Sequence, residues 1–242
     1  PMRVGPVFDD NPFYFATERP WGMSTNIARG FFDALFAPSL ILLAGFVLLG
    51  KPRGEATAPY AGSVVYFSAL GFGFIAVELS LLQHLTLLVG HPIFTLSLLL
   101  FTLLACGGIG SAISSRIPVR LACIGVALLG IFEALILPRV VPGLLPLPLT
   151  GRMIMAALFI APLGLLMGMP FPRGLQQTGR GPLPAPPFYW ALNGILSVIG
   201  SVTTVFVALL AGFQAAMFVG CACYLIAAMT PITTGRQTAT GR

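Results

Sequence analysis

The sequence predicts an all-α integral membrane protein, a polytopic helical bundle of about seven transmembrane helices. Three observations lead there. Apolar residues make up 57% of the 242 residues and charged residues only 8%, where a soluble domain carries roughly 25%. Mean hydropathy is +0.94. The apolar residues gather in runs of about 20, the length that crosses about 30 Å of hydrocarbon as a helix. So little charge cannot cover a surface facing water, which argues against a soluble enzyme, a disordered tail or a nucleic-acid-binding module.

Along the chain, a polar and aromatic arm comes first, residues 1–30, with Phe8, Phe13, Tyr14, Phe15 and Trp21 suited to interface or partner contact. The bundle occupies 31–230, with spans expected at 31–49, 62–82, 93–115, 119–137, 153–169, 188–210 and 214–230. Asp33 opens the first span, where a helix N-terminus favours negative charge. Two longer connections, 138–152 and 170–187, are rich in proline, which predicts stiff extended chain rather than helix. The second is expected to be an ordered, membrane-proximal turn and a partner-contact surface. A polar tail, 231–242, follows. No signal-peptide pattern opens the chain, and a start at Pro1 points to a processed or partial chain.

The net charge of +6 comes from Lys51 and twelve arginines against seven carboxylates. The arginines punctuate apolar runs, so they read as loop charges that set topology and meet anionic lipid. With seven spans, Arg3, Arg19, Arg29, Arg139 and Arg152 share one side. Lys51, Arg53, Arg116, Arg120, Arg173, Arg180, Arg236 and Arg242 share the other, which places the C-terminus in the cytoplasm. Cys106, Cys123, Cys221 and Cys223 lie in apolar segments without a CxxC pair or a Cys/His cluster. They read as small buried hydrophobes, and no metal site is expected.

Glu78 is the most informative polar residue, because a carboxylate near the membrane centre must be neutral, paired or reached by water. Gln83 and His84 follow it, but about 140° and about 240° around a helix of 100° per residue, so the three do not form one stripe. Glu133 is the second intramembrane carboxylate, free to lean toward Arg139 or to face the bundle beside Glu78. Each acid has a bland reading, a hydrogen-bonded group joining helices, and a functional one, a cation pathway. His84 could ligate a pigment or haem, although no second histidine lies at helical spacing; His91 sits in a Gly90-His91-Pro92 turn. No cofactor is predicted.

Gly71, Gly73 and Ala76 match GxGxxA, but inside an apolar span the pattern lacks the strand–turn–helix setting of a dinucleotide site. These glycines, with Gly107, Gly108, Gly110, Gly164 and Gly168, instead suit close helix packing. No serine or cysteine nucleophile has a base beside it in sequence.

The order of longer motifs carries a resemblance. GFGFIAVELSLLQHLTLLVGHP, LACGGIGSAISSR, PLGLLMGMPFPRGL and FYWALNGILSVIGSV occur in that sequence. Together, over about residues 62–229, they resemble the membrane domain that follows the catalytic domain in polytopic bacterial spermidine-synthase-like proteins. FDDNPFYF at 8–15 is similar to the segment linking the two domains. The resemblance implies a bacterial inner-membrane, multi-pass bundle with Pro1 in the cytoplasm, opposite to the charge count. It also implies a Rossmann-like domain binding decarboxylated S-adenosylmethionine, of which no part precedes Phe8. Asp9 and Asp10 match the linker, so no catalytic role is carried onto them, and this chain alone is expected to transfer no aminopropyl or methyl group. Three functions follow as expectations: a non-catalytic membrane subunit or scaffold on partner helices of a larger complex, energy-converting and photosynthetic complexes included; a membrane anchor for a spermidine-synthase-like enzyme; and a small cation- or proton-coupled transporter using Glu78 and Glu133. The expected partners are the lipid bilayer and other membrane subunits, not nucleic acid.

Overall fold

A lipid environment offers backbone amides no water, so apolar runs satisfy their hydrogen bonds within helices. The computed structural model describes residues 25–50, 57–178 and 184–230, and among these all regular structure is helical. The order is α1 (Thr25–Leu49), α2 (Thr57–Val89), α3 (Pro92–Ile113), a 3-10 turn at Ser114–Arg116, α4 (Val119–Leu144), α5 (Leu149–Met167), α6 (Pro170–Thr178) and α7 (Pro186–Met229). Five segments are long and apolar enough to cross a membrane: Tyr60–Val89, Pro92–Arg116, Val119–Leu144, Leu149–Thr178 and Pro186–Met229. A shorter apolar stretch, Phe36–Leu49, lies in α1. The chain is an all-α, multi-pass membrane bundle. Most of the aromatic arm, the 179–183 part of the proline-rich connection and the C-terminal tail lie outside the described residues.

Six long helical elements stand where seven spans are expected, because the last two expected spans are carried by the two arms of one element. The segments expected at 188–210 and 214–230 belong to one element, α7, interrupted at Gly212 (φ 86°, ψ 164°). That conformation is open essentially to glycine alone. Its two arms run in opposite senses along α2. On the first arm, Tyr189 stacks on Phe67 at 4.4 Å, Ser197 Oγ donates to the Gly71 carbonyl at 3.1 Å, and Gly200 lies against Phe72 and Ile75. On the second, Gly220 meets Val77 and Tyr224 meets Gly73. The chain therefore turns back at Gly212.

The prolines supply the second correction. Residues 138–144 continue α4, with Pro138 and Pro142 inside the helix, and 170–178 form α6 rather than extended chain. Pro170 opens α6, where a missing amide hydrogen breaks no intrahelical bond. At Pro138 the carbonyl of Ala134 loses its usual partner four residues on. Gln214 Nε2 donates to that same carbonyl at 2.9 Å, from the second arm of α7. An interhelical bond thus replaces the one that proline removes.

Glycine seams close the bundle. A methyl on Gly168 would overlap the backbone of Gly107, and one on Gly110 would overlap the backbone of Leu165, so α3 and α5 are in near backbone contact. Gly164 sits tightly on Leu103 and Cys106, while Gly71 and Gly73 do the same for α2 on α7. Gly108 departs from the packing expectation: it is exposed, with open space where a side chain would be, because it faces away from α5 on α3.

Candidate functional site

The two intramembrane acids stand on different helices, and the second arm of α7 brings them into one neighbourhood. Glu133, on α4, is 1% exposed, and its Oε2 is buried without a hydrogen-bond partner. One helical turn before it, Gly130 leaves room for the Cys221 sulfur and Met217 of α7. Tyr224, one turn beyond Cys221, is buried and lies against Gly73 of α2. Cys123 hydrogen-bonds with Tyr66, whose hydroxyl donates to the Pro170 carbonyl at 2.7 Å. The second arm of α7 so packs on both acids' helices, with Cys221 and Met217 on Gly130 of α4 and Cys223 and Tyr224 on Gly73 of α2.

Glu78 is half-buried, less enclosed than Glu133. The sequence pointed to Glu78 as the more informative acid; burial and the unpartnered oxygen give that position to Glu133. Gln83 is half-buried on α2, and His84 Nδ1 donates to the Ser80 carbonyl one turn back at 2.7 Å. That bond holds the imidazole along its own helix. His91 is exposed beyond Gly90, which ends α2 at φ 82°, and its ring meets Phe94 edge-on at 5.6 Å. Arg139 donates to the Leu135 carbonyl of its own helix, one turn back. Arg152, on α5, donates to the Leu88 carbonyl at 3.2 Å, where a cation complements the partial negative charge of the α2 C-terminus.

Tyr66, Gln214 and Tyr224 have no role in the sequence reading, while Cys123 and Cys221, read there as small buried hydrophobes, are buried. Cys221 and Tyr224 are three residues apart in an apolar span, a spacing that puts both on one helix face. That face was the available signal. Among the described residues no group of three or more His, Cys, Asp or Glu side chains is arranged to hold a metal ion. The arrangement offers an enclosed carboxyl group able to hold a proton, and hydroxyl and thiol groups able to donate or accept hydrogen bonds. It presents no assembled nucleophile–base pair.

Comparison with protein-family models, with curated proteins and with solved structures gives no match.

Proposed function

We propose that the chain is a non-catalytic integral membrane subunit, packing against partner helices of a larger complex in the bacterial inner membrane. One observation carries this reading: the polar side chains within the helices are largely turned onto the bundle's own backbone. Ser80, His84, Thr86, Thr95, Ser197 and Thr203 each bond a carbonyl four residues back, and Gln214 bonds across helices. Polar groups used in this way fix helices rather than hold a substrate. The outward faces are apolar, with Ile93, Phe101, Leu104, Leu121, Leu128 and Leu158 exposed, a surface that fits lipid or neighbouring helices. The test is purification of the full chain from its native membrane in mild detergent, followed by mass spectrometry. A stoichiometric membrane partner supports the reading; an isolated chain with solute uptake in liposomes overturns it.

A second reading rests on Glu133. An enclosed carboxyl with an unpartnered oxygen inside a membrane bundle suits a proton-coupled transporter, with Glu78 as the less buried acid on a neighbouring helix. Liposomes loaded with a pH-sensitive dye separate the two. Proton flux in the wild-type chain that Glu133→Gln abolishes favours transport, and a silent wild type favours the subunit.

A further inference from the structure

Three arginines that the sequence scatters over 58 positions lie on elements that come together at one end of the bundle. Arg116 closes the turn after α3, Arg120 opens α4, and Arg173 lies in α6. These elements touch one another, α6 contacting both the 3-10 turn and α4. Arg116 and Arg120 are exposed and Arg173 is half-exposed, with one guanidinium nitrogen donating to Gln176 at 3.1 Å. No described acid lies here: Glu78 and Glu133 are inside the bundle, and Asp33 is in the first half of α1, whose C-terminal residues are the ones at this end. Among the described residues this end therefore carries only positive charge.

A second feature marks the same end as the level of lipid headgroups. Phe46 of α1 stacks on Phe188 of α7 at 4.7 Å, Phe67 of α2 meets Phe171 of α6 at 5.5 Å, and Phe171 meets Trp190 at 5.1 Å. Trp190 is 63% exposed. Tryptophan, an apolar ring with one polar N–H, concentrates at the membrane–water boundary, and the phenylalanines here pack behind it. Below the arginines, Leu121 and Ile124 turn outward on α4, offering an apolar surface for acyl chains.

We propose that Arg116, Arg120 and Arg173 form a site for the headgroup of an anionic phospholipid, its phosphate held by the guanidinium groups and its chains lying on the outer face of α4. Guanidinium forks match phosphate oxygens in pairs, and each arginine near an anionic surface adds about a fivefold gain in binding. The neutral zwitterionic lipids leave the patch unbalanced and bind more weakly.

The test uses the purified full chain in detergent, titrated with phosphatidylglycerol or phosphatidylcholine and read by native mass spectrometry. Preferential retention of phosphatidylglycerol is expected, weakened about fivefold by Arg120→Gln alone and further by Arg116→Gln and Arg173→Gln together. Arg139→Gln, at the opposite end, serves as the charge control and leaves retention unchanged. All four residues are at least partly exposed, and an unchanged helical circular dichroism spectrum accompanies each measurement. Equal retention of the two lipids, or equal loss from Arg139→Gln, overturns the proposal. So does displacement of the lipid by millimolar inorganic phosphate alone, which would make the patch a site for a free anion, or an acidic protein occupying the patch in place of lipid.

Discussion

Pro138 has no amide hydrogen, and Gln214 supplies the donor that the Ala134 carbonyl would otherwise lack. Gln214→Leu should destabilise the bundle by about 1 kcal/mol, the scale of a membrane interhelical hydrogen bond. In a Pro138→Ala background the carbonyl regains its helical partner, so the same substitution should cost clearly less. A double-mutant cycle by denaturant titration in mixed micelles measures the difference, and an equal cost in both backgrounds contradicts the pairing. Glu133 gives a second residue-scale expectation under the subunit reading. Glu133→Leu removes a buried oxygen that has no partner, so it should raise stability by about 1 kcal/mol or more, while Glu133→Gln should fold normally. A loss of stability in Glu133→Leu would show that the carboxyl is held by bonds that matter. The presence of two intramembrane acids was legible in the sequence. The packing of the second arm of α7 on both their helices was not, because helical periodicity describes one helix at a time and says nothing about which helices become neighbours.

At the scale of elements, glycines and prolines separate what local chemistry settles from what tertiary packing decides. Gly107, Gly110, Gly164 and Gly168 were readable as packing residues, and they form the α3–α5 seam; Gly108 has the same sequence setting but faces outward. Gly168→Ala should therefore cost about 1–3 kcal/mol through backbone overlap, whereas Gly108→Ala should be neutral or slightly stabilising because alanine is the better helix former. Thermal unfolding of the two variants in the same detergent checks the contrast. The prolines misled for a physical reason. In water Pro138 and Pro142 would favour a break, but at membrane depth a broken helix exposes backbone groups to lipid, so the helix continues and a neighbour satisfies the freed carbonyl. Gly212 shows the converse, a single residue whose positive φ no apolarity pattern reveals. Gly212→Ala should cost about 1–3 kcal/mol, the strain of placing a side chain in that conformation, seen as a lowered midpoint in thermal unfolding beside the wild-type chain.

For the molecule as a whole, composition alone established the class, since 8% charged residues leave no alternative to lipid as the surrounding solvent. The arrangement of helices was not legible, because every apolar face in such a chain suits a neighbouring helix and the lipid about equally well. Packing resolves that ambiguity in favour of α2 and α7, which form the most extensive helix pair, with both arms of α7 laid along α2 and the second also on α4. This gives the fold an order in time. Synthesis delivers the N-terminal helices first, at about 5–20 residues per second, so α2 and α4 enter the bilayer seconds before the hairpin that covers Gly73, Val77 and Glu133. Until the ribosome passes Gly212, the carboxyl of Glu133 and the carbonyl of Ala134 have no protein cover on that side. A chain halted after Ala211 should persist as a recognisable unfinished intermediate, degraded faster than the full chain in pulse-chase experiments, and a separately expressed 212–242 segment should protect it. The second arm of α7 thus acts as a closing piece, whose arrival removes the polar surface that membrane quality control would read.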